Sequence, residues 1–215
     1  MTRDDKEAVR WYQAAADQNQ PNAVGNLASM YRDGLGVPQD KAKAVELYEK
    51  ALALGNKGVR VNLGVAYLNR DGVAADPAKA IELFTAAAEA GDAQAQQNLA
   101  IIYGYGQGVT VDNEKAVFWQ QKAADQGNID ALNGLGVHYL NGTGVEKNEG
   151  QAIALFVHAA AGGHDIALYN LGIVYRDGLG VPADRATARK WFEQAKAKGY
   201  AKAADALAAL DKTAP

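Results

Sequence analysis

The sequence predicts an all-α fold, a solenoid of stacked helix–turn–helix units. Three observations predict it. Leu27, Leu63, Leu99, Leu135, Leu171 and Leu207 stand 36 residues apart, and Tyr31, Tyr67, Tyr103, Tyr139 and Tyr175 keep the same interval. Small residues repeat in step: Ala8, Ala44, Ala80, Ala116, Ala152 and Ala188; Gly36, Gly72, Gly108, Gly144 and Gly180, each followed by valine; and Gly55, Gly91, Gly127, Gly163 and Gly199. No stretch alternates apolar and polar residues for long enough to make a strand. A fixed period of this length marks a repeat architecture, in which each unit buries its apolar face only by stacking on its neighbours.

Taken in order, residues 1–20 read as the second helix, helix B, of a truncated leading repeat, because Asp4, Ala8, Trp11, Tyr12 and Ala15 fall on helix B columns. Met1 then stands opposite Val37, which suggests a crop from a longer array. Five units follow at 21–56, 57–92, 93–128, 129–164 and 165–200. In the first, Ala23, Leu27 and Tyr31 share one face of helix A, expected over about 21–33. Gly34 and Gly36 end it, supplying the positive φ that helix ends and tight loops need. Helix B is expected over about 40–54. It opens at Asp40, in a column of N-cap residues: Asp4, Asp40, Asp76, Asp112, Asn148 and Asp184. Pro77 takes the favoured first helical position. Ala44, Leu47, Tyr48 and Ala51 form the buried stripe, and Gly55 stops the helix. Asn56, Asp92 and Asn128 are N-caps for the next helix A in turn. Bulk at Ala80 or Ala116 would overpack by about 1–3 kcal/mol. Arg70 departs from the first loop-glycine column (Gly34, Gly106, Gly142, Gly178), so that loop is expected to be rearranged and Arg70→Gly to be tolerated. Residues 201–215 read as a C-terminal capping helix: Ala203 and Leu207 keep register, Asp211 replaces the tyrosine, and Lys212 to Pro215 are expected to fray.

With Ala167, Leu171, Gly172, Tyr175, Gly178, Gly180, Val181, Asp184, Ala188, Trp191, Phe192, Ala195 and Gly199 in place, the pattern resembles the Sel-one-like repeat (SLR), a relative of the tetratricopeptide repeat. The resemblance covers the whole chain, apart from Arg70, Gln120 in the aromatic column and Asn19 in the last glycine column. It implies a right-handed α-solenoid, an α–α superhelix with helix A lining the concave side. It also implies a bacterial protein, periplasmic or exported if a signal peptide has been cropped and cytoplasmic otherwise. Family roles span envelope adaptors, host-factor binding and immunity proteins that neutralise secreted effectors.

Composition removes other classes. The formal charge of −3, from 22 basic and 25 acidic residues among 215, leaves no basic excess for nucleic acid. With no cysteine there is no disulfide, thiolate nucleophile or sulfur-ligated metal. The longest apolar run, Ala152 to Ala161, falls well short of the roughly 20 residues of a membrane span. Ser29, the one serine, has no histidine in its unit. His138, His158 and His164 lack metal-ligand spacing; His158 reads as solvated surface and His138 as a partly buried structural residue. The glycines from Gly104 to Gly108 follow a helix, whereas a phosphate loop follows a strand. No catalytic residue, metal or cofactor is expected. The alternative is an enzyme acting on cell-wall or lactam substrates, an activity credited to some resembling proteins; those carry paired cysteines, which this chain lacks.

By analogy with tetratricopeptide repeats, partner-binding positions lie beside the leucine–tyrosine face of helix A. One row reads Ser29, Val65, Ile101, Val137, Ile173 and Ala209, and an exposed apolar row invites a partner. Around it lie Leu68, Gln97, Tyr105, Asn133, Leu140 and Tyr169, with Arg32 and Arg176 in identical local sequence at either end. The opposing expectation is that the row packs against neighbouring helices. Asn26, Asn62, Asn98 and Asn170 are expected to hydrogen-bond between repeats. The reading is a noncatalytic, monomeric interaction scaffold that holds another protein or peptide in a concave groove.

Overall fold

A computed structural model describes residues 4–212. The expected register of Met1 and, of the fraying expected from Lys212 to Pro215, residues 213–215 lie outside them; Lys212 is the last residue of the final helix. Twelve α-helices are found among the described residues, with no strand: α1 (Asp5–Ala16), α2 (Pro21–Asp33), α3 (Lys41–Ala53), α4 (Arg60–Asn69), α5 (Pro77–Glu89), α6 (Ala93–Tyr105), α7 (Asn113–Asp125), α8 (Ile129–Asn141), α9 (Glu149–Ala161), α10 (Asp165–Asp177), α11 (Arg185–Ala197) and α12 (Lys202–Lys212). Even-numbered helices are A helices and odd-numbered ones B helices. The chain is an all-α solenoid of helix–turn–helix units, and it forms two compact units, Met1–Leu99 and Ala100–Pro215. In the first, α2 packs on α3 and α4 on α5; in the second, α8 packs on α9 and α10 on α11.

The helix ends follow from single residues. Every member of the expected column caps its B helix: Asp4, Asp40, Asp76, Asp112, Asn148 and Asp184 each accept a backbone N–H of the first turn. The backbone N–H of that cap also ties back to the column tyrosine of the preceding helix, as in Asp40 N to Tyr31 O at 2.9 Å and Asp184 N to Tyr175 O at 2.8 Å. This bond closes the A–B loop in each of the five units. The second loop glycine is required on two grounds. Gly36 has φ of +72°, and a Cβ there would lie 2.3 Å from the carbonyl oxygen of Asp5; at Gly72 it would lie 2.2 Å from the Lys41 carbonyl carbon. The loop thus rests on the start of the preceding B helix too closely for any side chain.

Arg70 corrects an expectation. Its loop is not rearranged: Arg70 has φ of +64°, beside +69° at Gly34 and +71° at Gly178, and its N–H bonds Ala66 O as the cap of α4. Asp71 N to Ala66 O and Asp76 N to Tyr67 O, both at 3.0 Å, reproduce the bonds of the glycine-bearing loops. The left-handed conformation costs an L-residue roughly 1–2 kcal/mol, less than forfeiting this set of loop bonds. Asn56 caps a one-turn 3-10 helix over Lys57–Val59, so α4 starts at Arg60, about three residues later than expected, with no side-chain cap. Asp92 caps as expected, and Asn128 holds Ala131 N at 2.9 Å. In the next repeat His164 takes the same position, its Nδ1 accepting from Ala167 N at 3.2 Å.

Packing between the helices of a unit is set by an aromatic column. Tyr48, Phe84, Phe156 and Phe192 are fully buried, beside column alanines such as Ala80 and Ala152 that are also fully buried. Phe84, Phe156 and Phe192 each lie over a glycine of their own helix A. A Cβ at Gly64, Gly136 or Gly172 would come within 2.8 Å, 2.6 Å or 2.4 Å of the ring. Where the column holds Tyr48 or Gln120, the facing residue is Ala28 or Ala100 instead.

Candidate partner-binding surface

In the first compact unit polar side chains tie the A helices to the elements around them. Arg32, at the end of α2, donates from Nε and Nη2 to the Asp33 carboxylate (2.7 and 2.8 Å) and from Nη1 to Asn62 Oδ1 on α4 (3.0 Å). The Asp33 hydrogen bonds hold the Arg32 guanidinium above its usual pKa, and Arg32 in turn holds the Asp33 carboxyl below its own. Asn56 Nδ2 donates to Pro21 O at 3.2 Å. In the second unit Asn170 Nδ2 donates to Asn133 Oδ1 at 2.9 Å, linking α10 to α8. Asn62 and Asn170 therefore bridge neighbouring repeats as expected, whereas Asn98 of the same column accepts from Gln94 of its own helix at 3.5 Å and keeps a buried Nδ2 without a partner.

The apolar row is neither buried nor fully exposed. Val65, Ile101, Val137 and Ile173 are all half-buried, and Ala209 is exposed. Val137 and Leu140 pack on the Phe156–Leu171–Val174 cluster, and Ile173 on Ala188 and Phe192. Val137 and Ile173 thus each present one flank to a core cluster and the other to solvent. Leu68 is half-buried and Tyr105 is 78% exposed. Arg176 forks onto Asp177 at 2.6 and 2.7 Å; the position equivalent to Asn62 is Ala206, whose side chain has no acceptor.

One column is displaced from its expected place. Gln97 is only 5% exposed, with its Oε1 buried and unpaired, so it offers no surface to a partner. The cause is the angular position it shares with Gly25, Asn133 and Tyr169. A Cβ on Gly25 would meet Asn56, the last residue of its own repeat, at 2.8 Å and Val59 of the next at 2.9 Å. Tyr169 packs on Phe192 and on Tyr200, the last residue of its repeat and the lead into α12, with centroids 5.4 and 5.0 Å apart. This column is a seam between repeats.

Sequence reasoning missed a cleft of about 70 Å³ in the first unit, where α2, α3 and α4 meet. Its walls include Arg32 and Val65, already singled out, and also Ala44, Val45, Tyr48 and Ala66. The sequence signal was present. Ser29 breaks the valine–isoleucine row, and Tyr48 is a tyrosine in a column that has phenylalanine at 84, 156 and 192. The two changes answer each other, since Ser29 Oγ lies 2.9 Å from Tyr48 Oη. Burial raises the Tyr48 pKa above the usual phenol range.

A charged cluster also joins three helices of that unit. Lys79 Nζ lies 3.0 Å from Glu49 Oε1 and 4.2 Å above the Tyr67 ring, and Tyr67 Oη donates to Glu49. Two histidines serve local structure, His138 through its Nδ1 contact with Thr143 O at 2.7 Å and His164 as the cap of α10 with its Nε2 3.2 Å from Asp130, while His158 is exposed. Among the described residues no three His, Cys, Asp or Glu side chains cluster to hold a metal, and no helix is long and apolar enough to cross a membrane.

Helix pairs in a 36-residue register, closed by the tyrosine–cap bond and stacked through alanine and glycine seams, define a helical repeat protein of the tetratricopeptide-like class. The Sel1 repeat matches residues 1–20, 21–56, 60–92, 93–128, 129–164 and 165–200, and the chain belongs to the Sel1 repeat family. Among solved structures, the chain is similar to a protective antigen of uropathogenic Escherichia coli strains that displays an SLR fold. Identity is 37% and the TM-score 0.84, over 92% of this chain and 42% of that one. A Sel1 repeat protein from Oxalobacter formigenes is 31% identical with a TM-score of 0.78, over 86% of this chain and 76% of that one. The immunity protein Pa5087 of Pseudomonas aeruginosa, 23% identical with a TM-score of 0.55 over 100% of this chain and 82% of that one, shares the fold. The chain thus spans less than half the length of the E. coli antigen. A search of curated proteins finds no match. Sel1 repeat proteins are generally protein-interaction scaffolds, and the family is typically non-catalytic.

Proposed function

We propose that this chain is a noncatalytic scaffold, monomeric in isolation, that holds an extended peptide, loop or domain of a partner protein against its A helices, in a concave groove. The observation that carries this reading is the half-exposed row Val65, Ile101, Val137 and Ile173, which occupies the same helical position in four successive repeats. Repeated solvent exposure of branched apolar side chains on one helix face supplies anchors for a partner. Asparagines and paired arginines beside the row supply hydrogen-bonding groups for its backbone. Arg32, Leu68, Tyr105, Leu140 and Arg176 belong to this surface, Asn133 and Tyr169 contribute what their repeat seam leaves open, and Gln97 drops out. The cellular role falls among envelope adaptor, host-factor binding and effector neutralisation.

The test is capture from a bacterial lysate with the wild type and a Val65→Asp, Ile101→Asp, Val137→Asp triple variant, with helicity checked by circular dichroism. Loss of specific partners in a folded triple variant is the expected result. Survival of all partners in a folded variant overturns the groove.

A further inference from the structure

At the cleft between α2, α3 and α4, shape and charge together define an occupant. Its apolar wall is Ala44, Val45, Val65 and Ala66. Its rim carries two cations, each neutralised: Arg32 forks onto Asp33, and Lys41 Nζ lies 2.6 Å from Asp71 Oδ1. Each rim cation is therefore already paired with a carboxylate, Arg32 with Asp33 behind the rim and Lys41 with Asp71 on it, so no cation of the rim is left uncompensated. A charged side chain entering it would have to break an ion pair or leave a like charge opposed. A peptide group fits without either cost, its N–H meeting a carboxylate and its C=O meeting a guanidinium or ammonium donor. Size limits the side chain. A dry apolar cavity of about 150 Å³ takes a benzene ring; this open cleft, at about 70 Å³, is matched better by a branched aliphatic group than by a ring.

Resting on the scaffold reading above, we infer that this cleft is a specificity pocket that seats one valine- or leucine-sized side chain from an extended, locally uncharged segment of the partner. Tyr48 belongs to the design. Ala28 stands where the phenylalanine rings of the other repeats find a glycine. Tyr48 instead bonds Ser29, and the first repeat departs from the phenylalanine-bearing repeats at the pocket's edge.

The test uses the full chain and defined probes: the N-acetyl N-methylamides of valine, leucine, phenylalanine, lysine and aspartate, titrated while the methyl resonances of Val45 and Val65 are followed by NMR. The valine and leucine probes are expected to give saturable shifts at both residues, with affinity at least fivefold above the other three. Ala44→Val, which fills the pocket, is expected to abolish the shifts; Val65→Met does the same from the rim should Ala44→Val fail to fold. Absence of saturable shifts, equal response to the charged probes, or unchanged binding in a folded filled variant overturns the pocket. Because the titration needs no partner, its failure is distinct from failure of the groove, which the capture experiment reads.

Discussion

At the scale of single residues, two side chains occupy positions built for others. Arg70 holds the left-handed conformation that glycine takes at residues 34, 106, 142 and 178, with the loop bonds intact. Replacing it with glycine removes steric strain while the bonds remain, so Arg70→Gly is expected to stabilise the chain by about 0.5–1 kcal/mol, the larger unfolded-state entropy of glycine offsetting part of the relief. A urea melt checks it, and a loss of stability would show that the arginine head makes a compensating contact. His164 fills a cap position held elsewhere by Asn56, Asp92 and Asn128. His164→Ala is expected to cost about 1 kcal/mol and His164→Asn much less, read from thermal melts of both variants. Neither feature was legible beforehand. Histidine is not among the usual cap residues, and the break at Arg70 was visible while its conformation was not, because the loop is held by backbone bonds that leave no mark on side-chain identity.

At the scale of helices, the caps and glycines made the boundaries readable: α2 at 21–33 and α3 at 41–53 fall within a residue of the expected ends. The candidate surface was read less well. Half-burial of the valine–isoleucine row, and burial of the column containing Gln97, depend on how neighbouring A helices roll against each other, which a one-dimensional pattern does not encode. The inter-helix pairing of glycine with phenylalanine and of alanine with tyrosine or glutamine is visible once the columns are aligned, and it yields a double-mutant test. Gln120 is 7% exposed with a buried unpaired Oε1. Gln120→Phe alone would drive a ring against the Ala100 methyl and cost about 1–3 kcal/mol. Ala100→Gly alone costs up to about 1 kcal/mol of helix propensity. Together they recreate the Gly64–Phe84 arrangement, so the double variant is expected to be more stable than the sum of the single changes, with a coupling energy of about 0.5–3 kcal/mol. Additive single effects in denaturant melts would show that the pairing is a coincidence of sequence.

At the scale of the whole molecule, a solenoid has no single core, and its stability is approximately a sum of repeat and nearest-neighbour terms. The weakest repeat is therefore a property of the molecule. The repeat at 93–128 holds three buried amide atoms without partners, Gln97 Oε1, Asn98 Nδ2 and Gln120 Oε1, and each such group costs roughly 1–3 kcal/mol. It is also the repeat whose helix α6 contains the division between the two compact units, at Leu99. Local opening is expected to start there. Native-state hydrogen exchange should find the slowest amides of 93–128 opening at lower free energy than those of 21–56 or 165–200, with denaturant unfolding departing from a single two-state transition. The Ala100→Gly, Gln120→Phe double variant removes one of the three unpaired atoms and restores the aromatic seat, so it is expected to raise protection across 93–128 and leave the terminal repeats nearly unchanged. Uniform protection in the wild type would mean that neighbour coupling exceeds the differences between repeats, and the chain would then open as one body.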